Sequence, residues 1–298
     1  MNIGILFGGD SHESEVSKNS GLAISQACKS LGYQTTNYLL ETNSIDNEIN
    51  SLKKHDFVFI ALHGTFGEDG ALQKILEQNN IKYNGSDQFA SKKCFNKSFC
   101  KEIAINDGII TPDFYVVESN ICNDNIGFSS SKYVIKPNSQ GSSVGFKVID
   151  NYEKINEAID NALDFDSKVL IEEYVGGAEI TVPILGDEVF HPIHIKPSGD
   201  FYDFESKYAD QGTQYIKADI AGSKLEEIKD FAWHAFSSLG CNHWGRVDFI
   251  EDHEGNFQII EVNTVPGLTE TSLFPKAASY AGLSFDDVIV KVLHLSCK

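Results

Sequence analysis

The chain has 298 residues, 41% of them hydrophobic and 11% aromatic, and a formal charge of −19 at pH 7. That length allows a large core divided into two or three units, and the apolar content is that of a folded chain. The acidic balance argues against nucleic acid as a partner, because phosphate binding needs an excess of Lys and Arg. The opening "NIGILF" lacks the basic region and longer apolar core of a secretion signal, and no run approaches a membrane span. Six cysteines, at 28, 94, 100, 122, 241 and 297, form no C-x-x-C pair, which excludes a zinc ribbon or thioredoxin-type motif. A reducing cytoplasm and no membrane association are expected.

In chain order, Asn2 to Phe7 is an apolar strand broken by Gly8-Gly9. Asp10 and Glu13 have the spacing of a capping box, and Val16, Leu22, Ile24, Ala27, Cys28 and Leu31 follow helical spacing. "DFVFIAL" is a second buried strand, followed by "HGTFGEDG" and a helix carrying Leu72, Ile75 and Leu76. Nearly uninterrupted apolar strands alternating with helices predict a parallel sheet with covered faces over roughly the first 85 residues. After "YNGS" come one long helical pattern, the strands "DFYVV", "KYVIKP" and "GFKVI", a helix over about 151–163, and "KVLIEEYV". From about 180 the strands "EITVPIL", "EVFHPIHI", "WGRVDFI" and "FQIIEVN" predict a larger antiparallel sheet, interrupted by a helix at roughly 223–239.

Three stretches carry chemistry. "KPNSQGSSVGF" (136–146) places Lys136 at a strand end before a loop of small residues, which reads equally as a hairpin turn or as a backbone nest for an anion. No Walker A loop occurs, and "LFGGD" does not complete a dinucleotide fingerprint. Lys97 and Lys136 each adjoin an element end where a phosphate could lie, although a lone lysine is ordinarily a solvated charge. Glu172 and Glu179 flank a Gly-Gly turn and by themselves are ordinary acids. The third stretch, "WGRVDFIEDHEGNFQIIEVNTVPG", reads as a β-hairpin. A two-residue Glu254-Gly255 loop would set Asp248 opposite Glu261 and Arg246 opposite Asn263. Facing carboxylates repel, so the arrangement calls for a cation, and Asp248, Glu261 and Asn263 offer hard oxygens suited to Mg²⁺. The alternative is an exposed Arg246 ion pair of little energetic value.

In this order the segments "LFGGDSHESEVSKNSG", "LHGTFGEDGALQKILE", "YVIKPNSQGSSVGF", "FYDFESKYADQGTQY" and "WGRVDF…EVNTVPGLTETSLFP" resemble the D-alanine–D-alanine ligases of the ATP-grasp superfamily over nearly the whole chain. The resemblance implies an α/β (α+β) ATP-grasp fold: a Rossmann-like domain over 1–86, a central subdomain over 87–179, and a C-terminal subdomain over 180–298 with the metal and substrate site. It implies ATP-dependent ligation of two D-alanines through a D-alanyl phosphate, for peptidoglycan synthesis, by a cytoplasmic homodimer using two Mg²⁺ ions, with Mn²⁺ as a substitute.

By the same resemblance, Lys97 and Lys136 contact the ATP phosphates, and Lys207 reaches the γ-phosphate from a mobile substrate loop. Glu172 and the backbone near Tyr174 and Val175 hold the adenine, Glu179 the ribose, and Asp248, Glu261 and Asn263 the metal. Glu13 grips the first D-alanine's ammonium beside His63. Arg246 and the Gly267 N–H stabilise developing oxyanion charge, and Ser272 and Leu273 hold the second carboxylate. Glu13, Ser142 and Tyr208 match a hydrogen-bonded triad that ties the substrate loop down. Tyr208 favours an amine over the hydroxyl of D-lactate as nucleophile.

Asn96, Val265 and Thr271 depart from the family pattern of aspartate, serine or leucine, and histidine respectively. The first two should leave catalysis intact, whereas Thr271 touches the second subsite. Two competing readings are another ATP-grasp carboxylate–amine (or D-lactate) ligase and a non-catalytic nucleotide-binding protein. The first is opposed by "HESEVS", "ESKY" and "TSLFP" occurring together, the second by the intact set Lys136, Arg246, Asp248, Glu261 and Asn263.

Overall fold

The computed structural model describes residues 1–120, 127–128, 130–199 and 212–297. The chain begins β1 (Asn2–Gly8), α1 (Ser14–Ser30), β2 (Gln34–Leu40), α2 (Ile49–Leu52), β3 (Phe57–Ile60) and α3 (Ala71–Gln78). The three strands form a parallel sheet in the order β2-β1-β3. β1 and β3 are buried almost throughout, as a sheet covered on both faces requires. β2 had no counterpart among the expected elements: it is a largely polar edge strand, so it shows neither an apolar run nor alternation. Ser17, fully buried on α1, donates to the Ala61 carbonyl (2.8 Å) and accepts from the Gly8 N–H (2.7 Å), fixing the helix to the ends of β1 and β3.

The expected Asp10–Glu13 capping box does not form. Helix α1 starts at Ser14, with Glu13 at the N-cap and no side-chain cap bond. Glu13 spends its carboxylate on a distant loop instead, accepting from the Ser142 hydroxyl.

Next come α4 (Gln88–Phe95), α5 (Lys97–Asn106), β4 (Phe114–Val117), β5 (Tyr133–Pro137), β6 (Lys147–Ile149), α6 (Ile155–Leu163) and β7 (Val169–Glu173). The expected single long helix is two, split at Asn96. Its extended backbone ends α4, and its side chain caps α5 by accepting from the Phe99 N–H at 3.0 Å. Asparagine caps as well as aspartate, so this departure from the family pattern keeps the local geometry. β4-β7-β5-β6 is an antiparallel sheet, and α6 closes its core with Ile155, Ile159 and Ala162 against Ile135, Val169 and Ile171.

The rest is β8 (Gly177–Leu185), β9 (Glu188–Val189), β10 (Ile193–Lys196), β11 (Gln214–Lys217), α7 (Gly222–Ser238), β12 (Trp244–Asp252), β13 (Phe257–Asn263), α8 (Leu273–Tyr280) and α9 (Phe285–Ser296). "EVFHPIHI" is two strands rather than one, interrupted around Pro192, which has no N–H to give a ladder. The sheet runs β11-β10-β8-β12-β13, with β9 beside β8. Ile180, Val182, Val247, Phe249, Ile259 and Val262 share a core with α4, α5 and α7. Trp244 belongs instead to the core of the N-terminal sheet, edge-on to Phe274 of α8 at 5.1 Å, a contact worth about 1 kcal/mol beyond its burial.

The β12–β13 hairpin pairs Asp248 with Glu261 and Arg246 with Asn263, but not through the expected two-residue loop. Asp252 N–H donates to Asn256 O (3.0 Å), so the loop is His253-Glu254-Gly255, with Gly255 at φ 79°. Three-residue hairpin loops place such a left-handed residue, usually glycine, at their end. That extra loop residue shifts the register by one, and a bulge at Ile260 shifts it back, since Phe249 pairs with Ile259 while Asp248 pairs with Glu261. The bulge also breaks the period of two. Phe257 and Ile259 point into the core, as Val262 does, while Glu261 and Asn263 take the opposite face.

Candidate active site

Two cavities meet between these layers. One, of ≈ 420 Å³, lies between the four-stranded sheet and the large sheet, with Val134, Phe146, Ile250 and Ile260 among its apolar walls. The other, of ≈ 1080 Å³, opens between the N-terminal sheet and the β12–β13 hairpin. Lys97, Gln140, Gly141, Ser142 and Glu261 line both, so they form the junction. Lys136, Glu172, Tyr174, Val175 and Glu179 line the smaller cavity. Glu13, His63, Arg246, Asn263, Gly267, Ser272 and Leu273 line the larger. Asp248 lines neither, and Lys207 and Tyr208 lie outside the described residues.

The glycine-rich loop is a built feature. Asn138 accepts from the Ser98 N–H through its side chain and from the Lys97 N–H through its carbonyl (both 2.9 Å), pinning the start of α5 to the loop. Ser142 and Ser143 adopt φ of 53° and 56°, a left-handed conformation that non-glycine residues hold mainly at functional sites. Gly141 lies against Glu13: a Cβ there would stand 2.7 Å from Oε2. Lys97, 8% exposed, donates to the Gln140 carbonyl and pairs with Glu261 at 3.2 Å.

Glu172, which the resemblance sets at the adenine, lines the smaller cavity with its carboxylate between two lysines. One oxygen pairs with Lys136 and the other with Lys101, each at 2.7 Å. Burial alone would push its pKa up, but the two ammonium groups outweigh that and hold it below the ordinary carboxylate value.

On the hairpin, Arg246 donates to Asp248 twice, Nε to Oδ1 at 2.8 Å and a terminal nitrogen to Oδ2 at 2.7 Å, and Thr181 donates to Oδ1 at 2.5 Å. An Arg246 ion pair therefore exists, but its side chains are only 14% and 7% exposed, so it is not the weak surface pair of the alternative reading. Among the described residues no three His, Cys, Asp or Glu side chains gather into a metal cage. Two carboxylates and an amide instead suit Mg²⁺, which retains water and takes substrate phosphate oxygens.

Below the larger cavity His63 Nδ1 stands 3.3 Å from Glu68 and its Nε2 3.3 Å from Ser20, whose hydroxyl accepts the Leu268 N–H at 3.2 Å beside Gly267. Burial pushes Glu68 up to about 7, with the Glu13 charge adding to it and His63 opposing. Burial works against a charged His63, yet the Glu68 bond and the Glu68 and Glu13 charges raise its pKa. Ser272 caps α8 without a side-chain cap bond, leaving the first-turn N–H groups for an anion.

The residues that sequence reasoning missed are Lys101, Thr111, Thr181, Ser20 and Glu68. Only Lys101 left a signal: with Lys97, Cys100 and Ala104 it forms the buried stripe of α5, an odd place for a lysine.

Two antiparallel sheet units around a nucleotide-sized cavity lined by lysines and a glycine-rich loop define an ATP-grasp fold, and known proteins match it. Family models described as D-ala D-ala ligase N-terminus and C-terminus match residues 35–86 and 108–294. A D-alanine–D-alanine ligase of Actinobacillus succinogenes is 39% identical, covering 99% of this chain and 97% of its own length. The D-alanine–D-alanine ligase of Bacillus anthracis, solved in complex with ATP, superposes with a TM-score of 0.87 at 30% identity, covering 99% of this chain and 97% of that one. The VanG D-Ala:D-Ser ligase of Enterococcus faecalis superposes at 0.83 with 28% identity, covering 99% of each chain. The chain belongs to the D-alanine–D-alanine ligase family.

Proposed function

We propose that the protein joins two D-alanines into D-alanyl-D-alanine, with cleavage of ATP to ADP and phosphate, for peptidoglycan precursor synthesis in the cytoplasm, and that it works as a homodimer. The observation that carries this reading is the junction of the two cavities: Lys97, Gln140, Gly141, Ser142 and Glu261 border both a nucleotide-sized space and a larger one with room for two amino acids. A phosphoryl group can pass directly between the two spaces there.

Adenine lies in the smaller cavity against the backbone of Tyr174 and Val175, Glu179 holds the ribose, and Lys136 and Lys97 meet the phosphates. The first D-alanine sits with its ammonium at Glu13 beside His63 and its carboxylate toward the junction. Transfer of the γ-phosphoryl group to that carboxylate gives D-alanyl phosphate and ADP. The second D-alanine, its carboxylate at the Ser272–Leu273 end of α8, attacks the acyl carbon through its amine, and phosphate leaves. Arg246, oriented by its two bonds to Asp248, and the Gly267 N–H stabilise the oxyanion. Asp248, Glu261 and Asn263 would hold Mg²⁺, which would supply positive charge to offset that of the phosphate oxygens. Asp248 Oδ2 fits that part, since it accepts one hydrogen bond and has a second lone-pair direction.

The test is phosphate release by the purified protein with ATP and Mg²⁺ and, separately, D-alanine, L-alanine, and D-alanine mixed with D-lactate or D-serine, with products identified by mass. D-Alanyl-D-alanine from D-alanine alone is expected. A preferred D-lactate or D-serine product overturns the second substrate, and no release with any acid overturns the ligase reading.

A further inference from the structure

Lys101 is fully buried one turn along α5 from Lys97, and nothing in the reaction as described uses it. Its ammonium pairs with Glu172 Oε1 at 2.7 Å and donates to Thr111 Oγ1 at 2.6 Å, with the Phe114 ring 5.7 Å away as an apolar cover. Phe114 is also the cross-strand neighbour of Glu172. Thr111 in turn donates a hydrogen bond to the Ile259 carbonyl at 2.8 Å, next to the Ile260 bulge that turns Glu261 toward the junction. One buried cation thus joins the helix of Lys97, the strand of Glu172, Lys136 through the other oxygen of Glu172, and the strand of Glu261.

A lysine in an apolar helix stripe costs several kcal/mol unless it is paired, and hydrophobic packing could fill the same space. The charge count shows what is gained. Glu172 alone would neutralise Lys136 and leave a closed pair with little pull on a phosphate. With Lys101 sharing the carboxylate, the buried group of three carries one net positive charge, and Lys136 is the member that lines the nucleotide cavity. We propose that Lys101 is a positioning residue for ATP: by sharing the Glu172 carboxylate it keeps Glu172 from closing onto Lys136, so that the Lys136 ammonium stays in place for an ATP phosphate. The proposal rests on reading Lys136 as an ATP-phosphate contact.

The test measures equilibrium binding of ATP, then the Michaelis constants for ATP and D-alanine, in the wild type, Lys101→Met, Glu172→Gln and the double variant. Lys101→Met is expected to raise the ATP Kd roughly tenfold or more, the effect of losing one charge-assisted contact, and to leave the D-alanine KM unchanged. In the Glu172→Gln background, where no carboxylate remains to collapse onto Lys136, the same substitution should change the ATP Kd by less than about threefold. Equal effects in both backgrounds, or an unchanged ATP Kd in Lys101→Met, overturn the proposal. If Lys101→Met does not fold, Thr111→Val decides. It removes the second partner of Lys101 together with the Thr111 bond to the Ile259 carbonyl, and a weaker ATP Kd with an unchanged D-alanine KM supports the proposal. A lowered melting temperature with both constants unchanged reduces Lys101 to a structural role and overturns it. A wild type that binds no ATP refutes the ligase reading itself, and that result is obtained before any variant is compared.

Discussion

Replacing Glu68 by glutamine should change how the fold responds to pH. Glu68 is 8% exposed, its carboxylate stands 3.3 Å from His63, and burial, with the Glu13 charge adding, raises its pKa from 4.5 to about 7. Between those values the folded protein keeps a proton that the unfolded chain has released, so stability is present below the unfolded value and is lost as pH rises through the folded one. Over that interval the loss is about 3 kcal/mol. Glutamine cannot titrate. It sacrifices about 1 kcal/mol of hydrogen bonding to His63 at every pH. The variant should therefore be the less stable protein near pH 4 and the more stable one near pH 8. Urea unfolding of both proteins across that range, followed by tryptophan fluorescence, reads the difference and cancels the repulsion of the acidic surface common to both. Parallel pH profiles would falsify the claim that Glu68 carries a proton in the folded state.

Arg246→Ala should lower turnover at least roughly a hundredfold, as loss of one oxyanion contact does, and lower the melting temperature by leaving Asp248 buried with one partner fewer. Near-normal phosphate release would remove Arg246 from its role. Thr181→Val deletes the third bond to Asp248 in a fully buried place, and an unfolding free energy lower by about 2 kcal/mol is expected. An unchanged urea midpoint would show that Thr181 does not hold Asp248. Gly141→Ala puts a methyl where the Glu13 carboxylate stands, so Glu13 must swing away from Ser142. The D-alanine KM should rise several-fold with the ATP KM unchanged, and a changed ATP KM alone would contradict the placement of Glu13.

Much of the site could be read in the sequence because its residues sit in short local patterns. Lys97, Lys136, the glycine-rich loop and the hairpin acids each adjoin an apolar run that announces a strand or helix; the structure brings Lys97, the loop and Glu261 to one junction, with Lys136 on the smaller cavity and Asp248 lining neither. The opposition of Asp248 and Glu261 was anticipated through a two-residue loop. It arises from a three-residue loop and a bulge whose shifts cancel. Counting residues across a turn cannot separate these cases, because both end in the same register. Strand β2 escaped notice because an edge strand buries little and shows no apolar period. The Asp10–Glu13 spacing suggested a cap, but Glu13 finds a stronger partner in a loop far along the chain.

The sequence by itself determined most of the strands and helices of the three sheets, β2 and β11 excepted, and the family, since each depends on neighbours within a few positions. Which acids are paired, which are buried and which cavity a side chain lines depended on tertiary structure. Glu172 illustrates the division. In the sequence it is an ordinary acid after a strand, and in the fold it is shared by two lysines from a different helix and a different strand. Charge and burial act through space, so the chemistry of such a group follows from what the packed chain brings beside it and from how little water is left there.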